Sequence, residues 1–301
     1  EFGGIGTQAS SIGGKQRGIF AGVKAKNADL KAKSAAQELS SRGVGRDEIW
    51  NKTGWFKDVD GMWKFEIDDS GAISGNPKIE TNLIGDEVYK YTQLKKAVDH
   101  PELYKAYNVG DIEVGLEPNL KSEASYSPSL DAIQIQKRSG KAYIPDKELQ
   151  AKAKKILEDG GVSQGRIKEI LDARTKGAKV FNDNDKSFLL HEVQHAIQER
   201  EGFAKGGSPA SFANKTTQSE LQNIKSNAMS AYKKGEITID QFYEIDGMSA
   251  QEFQFNQYKR LAGEAEARNV QTRMNMSLAE RAEKAPYRTL DIPENELIVR
   301  K

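Results

Sequence analysis

The chain has 301 residues, 37% of them apolar and 30% charged, a composition that can bury a sizeable core and reads as one large domain with appendages. Its 45 basic and 44 acidic residues cancel, and no basic stripe interleaved with aromatics appears, so nucleic acid is not an expected partner. No apolar run approaches the roughly 20 residues needed to span a bilayer, and the lack of cysteine excludes disulfides and thiolate metal sites.

Residues 1–17, rich in Gly, Ser and Gln, read as a linker or a cloning-derived tail, and a first residue other than Met suggests a piece of a longer polypeptide. Over residues 20–41 the spacing of Ala, Leu and Val predicts a helix, closed by Gly43 and Gly45. All three tryptophans follow, and Asp60-Gly61 between Trp55-Phe56 and Trp63-Lys64-Phe65 predicts a hairpin. The aromatic cluster reads as packing, with a substrate-binding surface as the alternative. His100, with Pro101 after it, reads as a capping or buried histidine rather than a ligand. Residues 111–116 and 131–136 alternate as half-buried strands, with 124–128 between them. A helical insertion is expected over 146–180, in two patterns at 146–159 and 163–174 separated by Gly160-Gly161.

The chemistry is concentrated in Leu189-Leu190-His191-Glu192-Val193-Gln194-His195-Ala196-Ile197, an H-E-x-x-H pattern in a run without Gly or Pro. Two histidines four residues apart stand on one helix face, the separation that lets two imidazoles share one tetrahedral zinc, and Glu192 between them is the candidate general base. Leu189, Val193, Ala196 and Ile197 form an apolar stripe on the opposite side at about 100° per residue. The chain has three histidines and two of them are here.

A catalytic zinc takes a third protein ligand. The longer H-E-x-x-H-x-x-G-x-x-H form fails at Gln198 and Glu201, and without a glycine turn Glu201 stays on the helix about 240° from His195. Residues 201–209 read as a helix stop and loop, without the closing Gly-Lys-Ser/Thr of a P-loop. Helices are expected over 215–234 and 249–284, then an extended tail over 287–299. Within the second helix, Ala262, Gly263, Ala265 and Ala267 allow close approach to another helix and carry Glu264 and Glu266 with them. These two carboxylates point about 200° apart, so one of them can face the metal. Spacing leaves the choice open.

Zinc peptidases of the gluzincin type carry Glu-x-x-small-x on a second helix, and residues 264–268 are similar to that frame, which implies Glu264 as ligand and Glu266 as the alternative. Arg268 departs from the acidic residue usual at the fifth position. Residues 20–26, Thr53-Gly54-Trp55-Phe56, 60–67, 99–103, 190–198, 201–204 and 263–269 together resemble the zincin-like metallopeptidase domain of phage and prophage polyvalent proteins. The resemblance runs from about residue 18 to near the C-terminus, with 146–180 outside it.

That resemblance implies an α+β, zincin-like fold over 18–301: a small, mostly antiparallel sheet beside the H-E-x-x-H helix, an N-terminal helix and Trp-rich hairpin at 18–70, and zinc-site helices at 183–285. The expected function is zinc-dependent amide hydrolysis with Glu192 as base and protein or peptide as substrate, acting in a phage virion or in the host cytoplasm after delivery. Self-cleavage of a longer polypeptide is a further option. The alternatives are a zinc-stabilised structural module of a virion protein and a peptidoglycan amidase. Residues 131–136 are the expected substrate-binding edge strand, and Tyr258, Tyr287 and Arg268 are candidates by type for the oxyanion partner.

Overall fold

The computed structural model describes residues 18–301 except 70, 76, 78, 85–86, 137–146 and 169–180. The tail at 1–17 and residues 169–174 of the second helical pattern in the insertion lie outside the described residues.

The chain enters as strand β1 (Ile19–Ala21) where a helix was expected, and helix begins only at α1 (Leu30–Ser41), capped by Asp29 accepting from the Ala32 amide. The reason is tertiary. Ile19, Phe20 and Ala21 are fully buried and pair antiparallel with Ile67, Glu66 and Phe65 of the strand β3 described next, so side chains that suit either period are claimed by a sheet. Helix α2 (Arg46–Thr53) stops at Gly54, and β2 (Phe56–Lys57) pairs with β3 (Trp63–Ile67) around the expected turn, with Gly61 at φ 80°. Trp50 and Trp55 are buried, and the Trp55 ring lies 4.7 Å from that of Phe65. The aromatic cluster packs the fold.

Short strands β4 (Ile73–Ser74) and β7 (Val98–Asp99) pair with each other. The main sheet runs in the order β5 (Glu80–Ile84), β6 (Glu87–Gln93), β8 (Glu113–Glu117), β10 (Ala132–Gln136), β9 (Ala124–Ser127). It is antiparallel throughout except for β8 with β10. β10 is therefore interior, which corrects the expectation that 131–136 form the edge. The chain passes β8, forms β9, turns at Asp131 (φ 46°) and comes back between the two, leaving β9 outside. Helix α3 (Leu94–Ala97) leads into β7, and α4 (Pro101–Ala106) is capped by His100, whose Nδ1 accepts from the Leu103 amide at 3.2 Å.

Helix α5 (Lys147–Asp159) realises the first pattern of the insertion. The H-E-x-x-H helix is α6 (Asp183–Glu201), followed by α7 (Lys215–Lys233). The single helix expected over 249–284 is three, α9 (Ala250–Lys259), α10 (Ala262–Met274) and α11 (Leu278–Glu283), preceded by an unexpected α8 (Ile239–Gly247). Capping boxes mark three of these starts: Thr238 with Gln241, Ser249 with Glu252, and Ser277 with Glu280. The break before α10 has another cause. Leu261 bridges to Ile298, whose carbonyl takes the Ala262 amide and whose amide donates to the Arg260 carbonyl, so the returning tail interrupts the helix. The tail itself is extended only between 3-10 turns at Pro286–Arg288 and Glu294–Glu296.

The result is a mixed α and β fold with small sheets and many helices. Helix α6 packs on β1, β9 and β10 along one side and on α10 along the other. One continuous apolar core joins Ile19, Phe20 and Phe56 to Val114, Ile133, Leu189, Val193, Ile197 and Val270. Burial of that shared area is the main stabilising term and does not respect the order of the chain.

Candidate metal centre

Asn182 and Asp185 form a capping box that starts α6, and Gly202 at φ 77° ends it. Leu189, Val193, Ala196 and Ile197 are fully buried, as the apolar stripe predicts, while His191 and His195 are partly exposed on the other side. Their rings are 4.9 Å apart, with Nε2 to Nε2 at 3.2 Å. From α10, Glu264 brings Oε2 to 3.6 Å from His191 Nε2 and Oε1 to 3.4 Å from His195 Nε2.

Two glycines permit this approach. A Cβ on Gly263 would lie 2.3 Å from the Lys205 carbonyl carbon, and one on Gly206 would lie 2.3 Å from Glu264 Oε1 and 2.5 Å from His195 Cε1. The loop after α6 thus closes over the ligands, and its Gly207 amide donates to Glu264 Oε1 at 2.9 Å. The Tyr258 hydroxyl donates to Oε2 at 2.8 Å. Burial alone would raise the Glu264 pKa; with the imidazoles protonated, the hydrogen bond from His191, the charge of His195 and the Gly207 amide outweigh it and hold the carboxyl at about 2.

Hydrogen bonds behind the donor set bear on which ring nitrogens are protonated. Gln198 Nε2 donates to the Gly263 carbonyl at 2.8 Å and to Glu266 Oε1 at 3.0 Å, so Gln198 Oε1 faces His195 Nδ1 at 2.8 Å and that nitrogen carries the proton. His191 Nδ1 meets Gln271 Oε1 at 3.1 Å, and Gln271 Nε2 reaches Ser187 Oγ at 3.1 Å, an arrangement that accommodates the same tautomer. Two imidazole lone pairs and a carboxylate then converge on one point with no donor among them. Such a centre needs positive charge, supplied by protons or by a cation, and two nitrogens with one carboxylate oxygen suit zinc.

Glu266, the alternative ligand, is turned away from the histidines, which corrects that option. Its Oε1 accepts from Gln194 and Gln198 and its Oε2 pairs with Lys64. Nor does Arg268 touch a ligand; it pairs with Asp291 and donates to the Lys259 carbonyl. Tyr287 donates to Asp47. Of the three oxyanion candidates, Tyr258 alone stands in the site, and burial beside Glu264 keeps its hydroxyl protonated.

Glu192 is buried between the ligands and β9. Burial pushes its carboxyl up to about 7, against the charge of His195 and a hydrogen bond from the Tyr126 backbone, with Glu264 adding to the rise. A carboxylate so poised can take and return a proton near neutrality. The β9–β10 turn beside it is held to α6 by Arg200, which donates twice to Asp131 at 2.7 and 3.0 Å, and Tyr126 donates to the same carboxylate at 2.7 Å.

Residues that sequence reasoning passed over hold the ligands: Gln198, Gln271, Gly206 and Gly207. Gln194, Gln198 and Glu201 recur at i, i+4 and i+7, a stripe that an amphipathic reading hands to solvent, yet all three are buried. Gln194 Oε1 accepts from the Phe20 amide and its Nε2 donates to the Phe20 carbonyl, both at 3.0 Å, like a neighbouring strand. Glu201 accepts from the Lys24 amide at 2.9 Å and from Tyr107 at 2.6 Å, and a Cβ on Gly22 would come within 2.6 Å of it. A cleft lined by Phe20, Phe56, Asp58, Glu266 and Tyr287 lies behind Glu266 and contains none of the three ligand residues.

Among the described residues no helix is long and apolar enough to cross a membrane. No curated protein and no solved structure matches the chain. Residues 18–79, which carry β1 to β4 and bring Lys64 to the back of the metal centre, match the family model described as Large polyvalent protein associated domain 23, which supports a polyvalent protein domain.

Proposed function

We propose that the chain is a zinc-dependent metallopeptidase of zincin-like fold, cutting amide bonds in protein or peptide substrates, within a phage or prophage polypeptide delivered with the DNA. The observation that carries this reading is the convergence of His191 Nε2, His195 Nε2 and the Glu264 carboxylate beside a buried Glu192. A zinc ion held by these three would supply Lewis acidity and lower the pKa of a water toward about 7. Glu192 takes a proton from the attacking water and returns it to the leaving amine. Gln198 and Gln271 keep both imidazoles in the tautomer that presents Nε2. Tyr258 can turn from Glu264 to a developing oxyanion. A peptide can lie along β9, the edge strand against α6.

The test is Glu192→Gln against wild type, each with its metal content measured, on unstructured protein, on peptidoglycan and on the full polypeptide. Retained zinc with turnover reduced by about 10²–10⁴-fold is expected. Equal inertness of both proteins on all three substrates, with zinc bound, would replace the peptidase by a zinc-stabilised structural module. Turnover of peptidoglycan alone would keep the mechanism and make the chain an amidase.

A further inference from the structure

Lys64, on β3 of the Trp-rich hairpin, has a fully buried side chain whose ammonium meets three carboxylates: Asp58 Oδ2 at 2.6 Å, Asp60 Oδ2 at 3.1 Å and Glu266 Oε2. It also lies 4.3 Å from the centre of the Phe203 ring. Asp58 and Asp60 belong to its own hairpin and would pair it without help. Glu266 arrives from α10, 202 residues further along. A local ion pair does not need that third partner, so what Glu266 touches on its other side matters.

There the contacts continue without a gap. Glu266 Oε1 accepts from Gln198 Nε2 at 3.0 Å and from Gln194 Nε2 at 2.7 Å, and Gln198 Oε1 meets His195 Nδ1 at 2.8 Å. Each link has one direction. An ammonium only donates and a carboxylate only accepts, so Gln198 must turn its amino group to Glu266 and its carbonyl to His195. With the Gly263 carbonyl taking the other amide hydrogen, both hydrogens of Gln198 are committed. With Glu266 swung away, one hydrogen of Gln198 loses its acceptor and the Gly263 carbonyl alone holds the amide, so the orientation that keeps the proton on Nδ1 and presents the Nε2 lone pair to the metal position is loosened.

We propose that Lys64 is a positioning residue for the metal site, acting through Glu266 and Gln198 to hold His195 in its ligating tautomer. The proposal rests on the zinc reading above. It also assigns work to the segment 18–79, which contributes no ligand of its own.

The experiment uses the whole chain with Lys64→Met, Glu266→Gln, Asp58→Asn and Gln198→Met. Zinc affinity is read by competition with a chromophoric chelator, and ligand geometry by the visible spectrum of the cobalt(II) form. Lys64→Met and Glu266→Gln should each weaken zinc by about 10–100-fold, as loss of a ligand's supporting partner does, and should shift the cobalt bands. Asp58→Asn removes a partner of the same lysine that has no link to His195, and should leave the spectrum where it is. On a Gln198→Met background, Lys64→Met should have no further effect on affinity. Full additivity there, or wild-type affinity and spectrum in folded Lys64→Met, would overturn the proposal. Should Lys64→Met fail to fold, Glu266→Gln decides, because it leaves Lys64 two aspartate partners; wild-type zinc affinity in that variant sinks the inference. A wild-type chain that binds no zinc overturns the metal reading and this proposal together, whereas variants that bind as tightly as a zinc-binding wild type overturn this one alone.

Discussion

Residues 18–79 and the arm formed by α7 and α8 are both peripheral to the ligand-bearing helices, yet they attach to the molecule in different ways. The arm meets the rest of the molecule where α7 packs on α9; within it Phe242 stacks on Tyr232 at 5.3 Å, and Tyr232 and Tyr243 stay exposed. The N-terminal segment sends Ile19, Phe20 and Phe56 into the common core and adds a buried polar seam, in which Gln194, Glu201 and Glu266 bond to Phe20, Lys24 and Lys64. Apolar contacts tolerate substitution of similar volume, whereas a buried polar contact that loses one partner strands the other. Nearness to the metal centre is not what couples a segment to it; directional buried bonds are.

The most severe way to break that contrast is to remove residues 18–79. The remaining chain should show no cooperative thermal transition and should retain no stoichiometric zinc, because Leu189 and Val193 lose core partners and Gln194 and Glu201 lose theirs. A cooperative melt with about one equivalent of zinc would show the two parts to be separable. Next in size is the difference between the two α10 carboxylates. Glu264→Gln should weaken zinc by well over tenfold, and Glu266→Gln by about 10–100-fold or less, measured by chelator competition. The reverse order would return Glu266 to the ligand set.

A smaller effect is expected along the seam away from the metal. Glu201→Leu strands the Tyr107 hydroxyl and the Lys24 amide and should cost about 1–3 kcal/mol in denaturant unfolding, with zinc affinity kept. Gly22→Ala should destabilise by a similar amount, since its Cβ would press on Glu201. The smallest effect belongs to the arm. Tyr243→Ala is a change at an exposed ring and should stay within about 0.5 kcal/mol of wild type, with metal binding untouched. A larger loss there would show that the arm is not a loose appendage.

From its sequence alone the chain settled those features whose cause lies within a few residues. The hairpin at Asp60-Gly61 follows from the backbone freedom of Gly61, the cap at His100 from the proline after it, and the facing of His191 and His195 from helical pitch over four residues. The caps at Thr238, Ser249 and Ser277 were equally local and were there to be read. Tertiary structure decided whatever required two distant stretches to meet. Residues 19–21 became a strand because β3 lay ready to pair with them, and β10 became interior because β9 turned outside it. Leu261 broke a helix because Ile298 returned to it, and Glu264 rather than Glu266 met the histidines because Lys64 and two glutamines had taken the other carboxylate. Periodicity reports which face of an element is polar, but it cannot report whether that face meets water or a buried partner. The polar stripe of Gln194, Gln198 and Glu201 is such a face, and only the packing of β1 and α10 onto α6 made it the frame of the site.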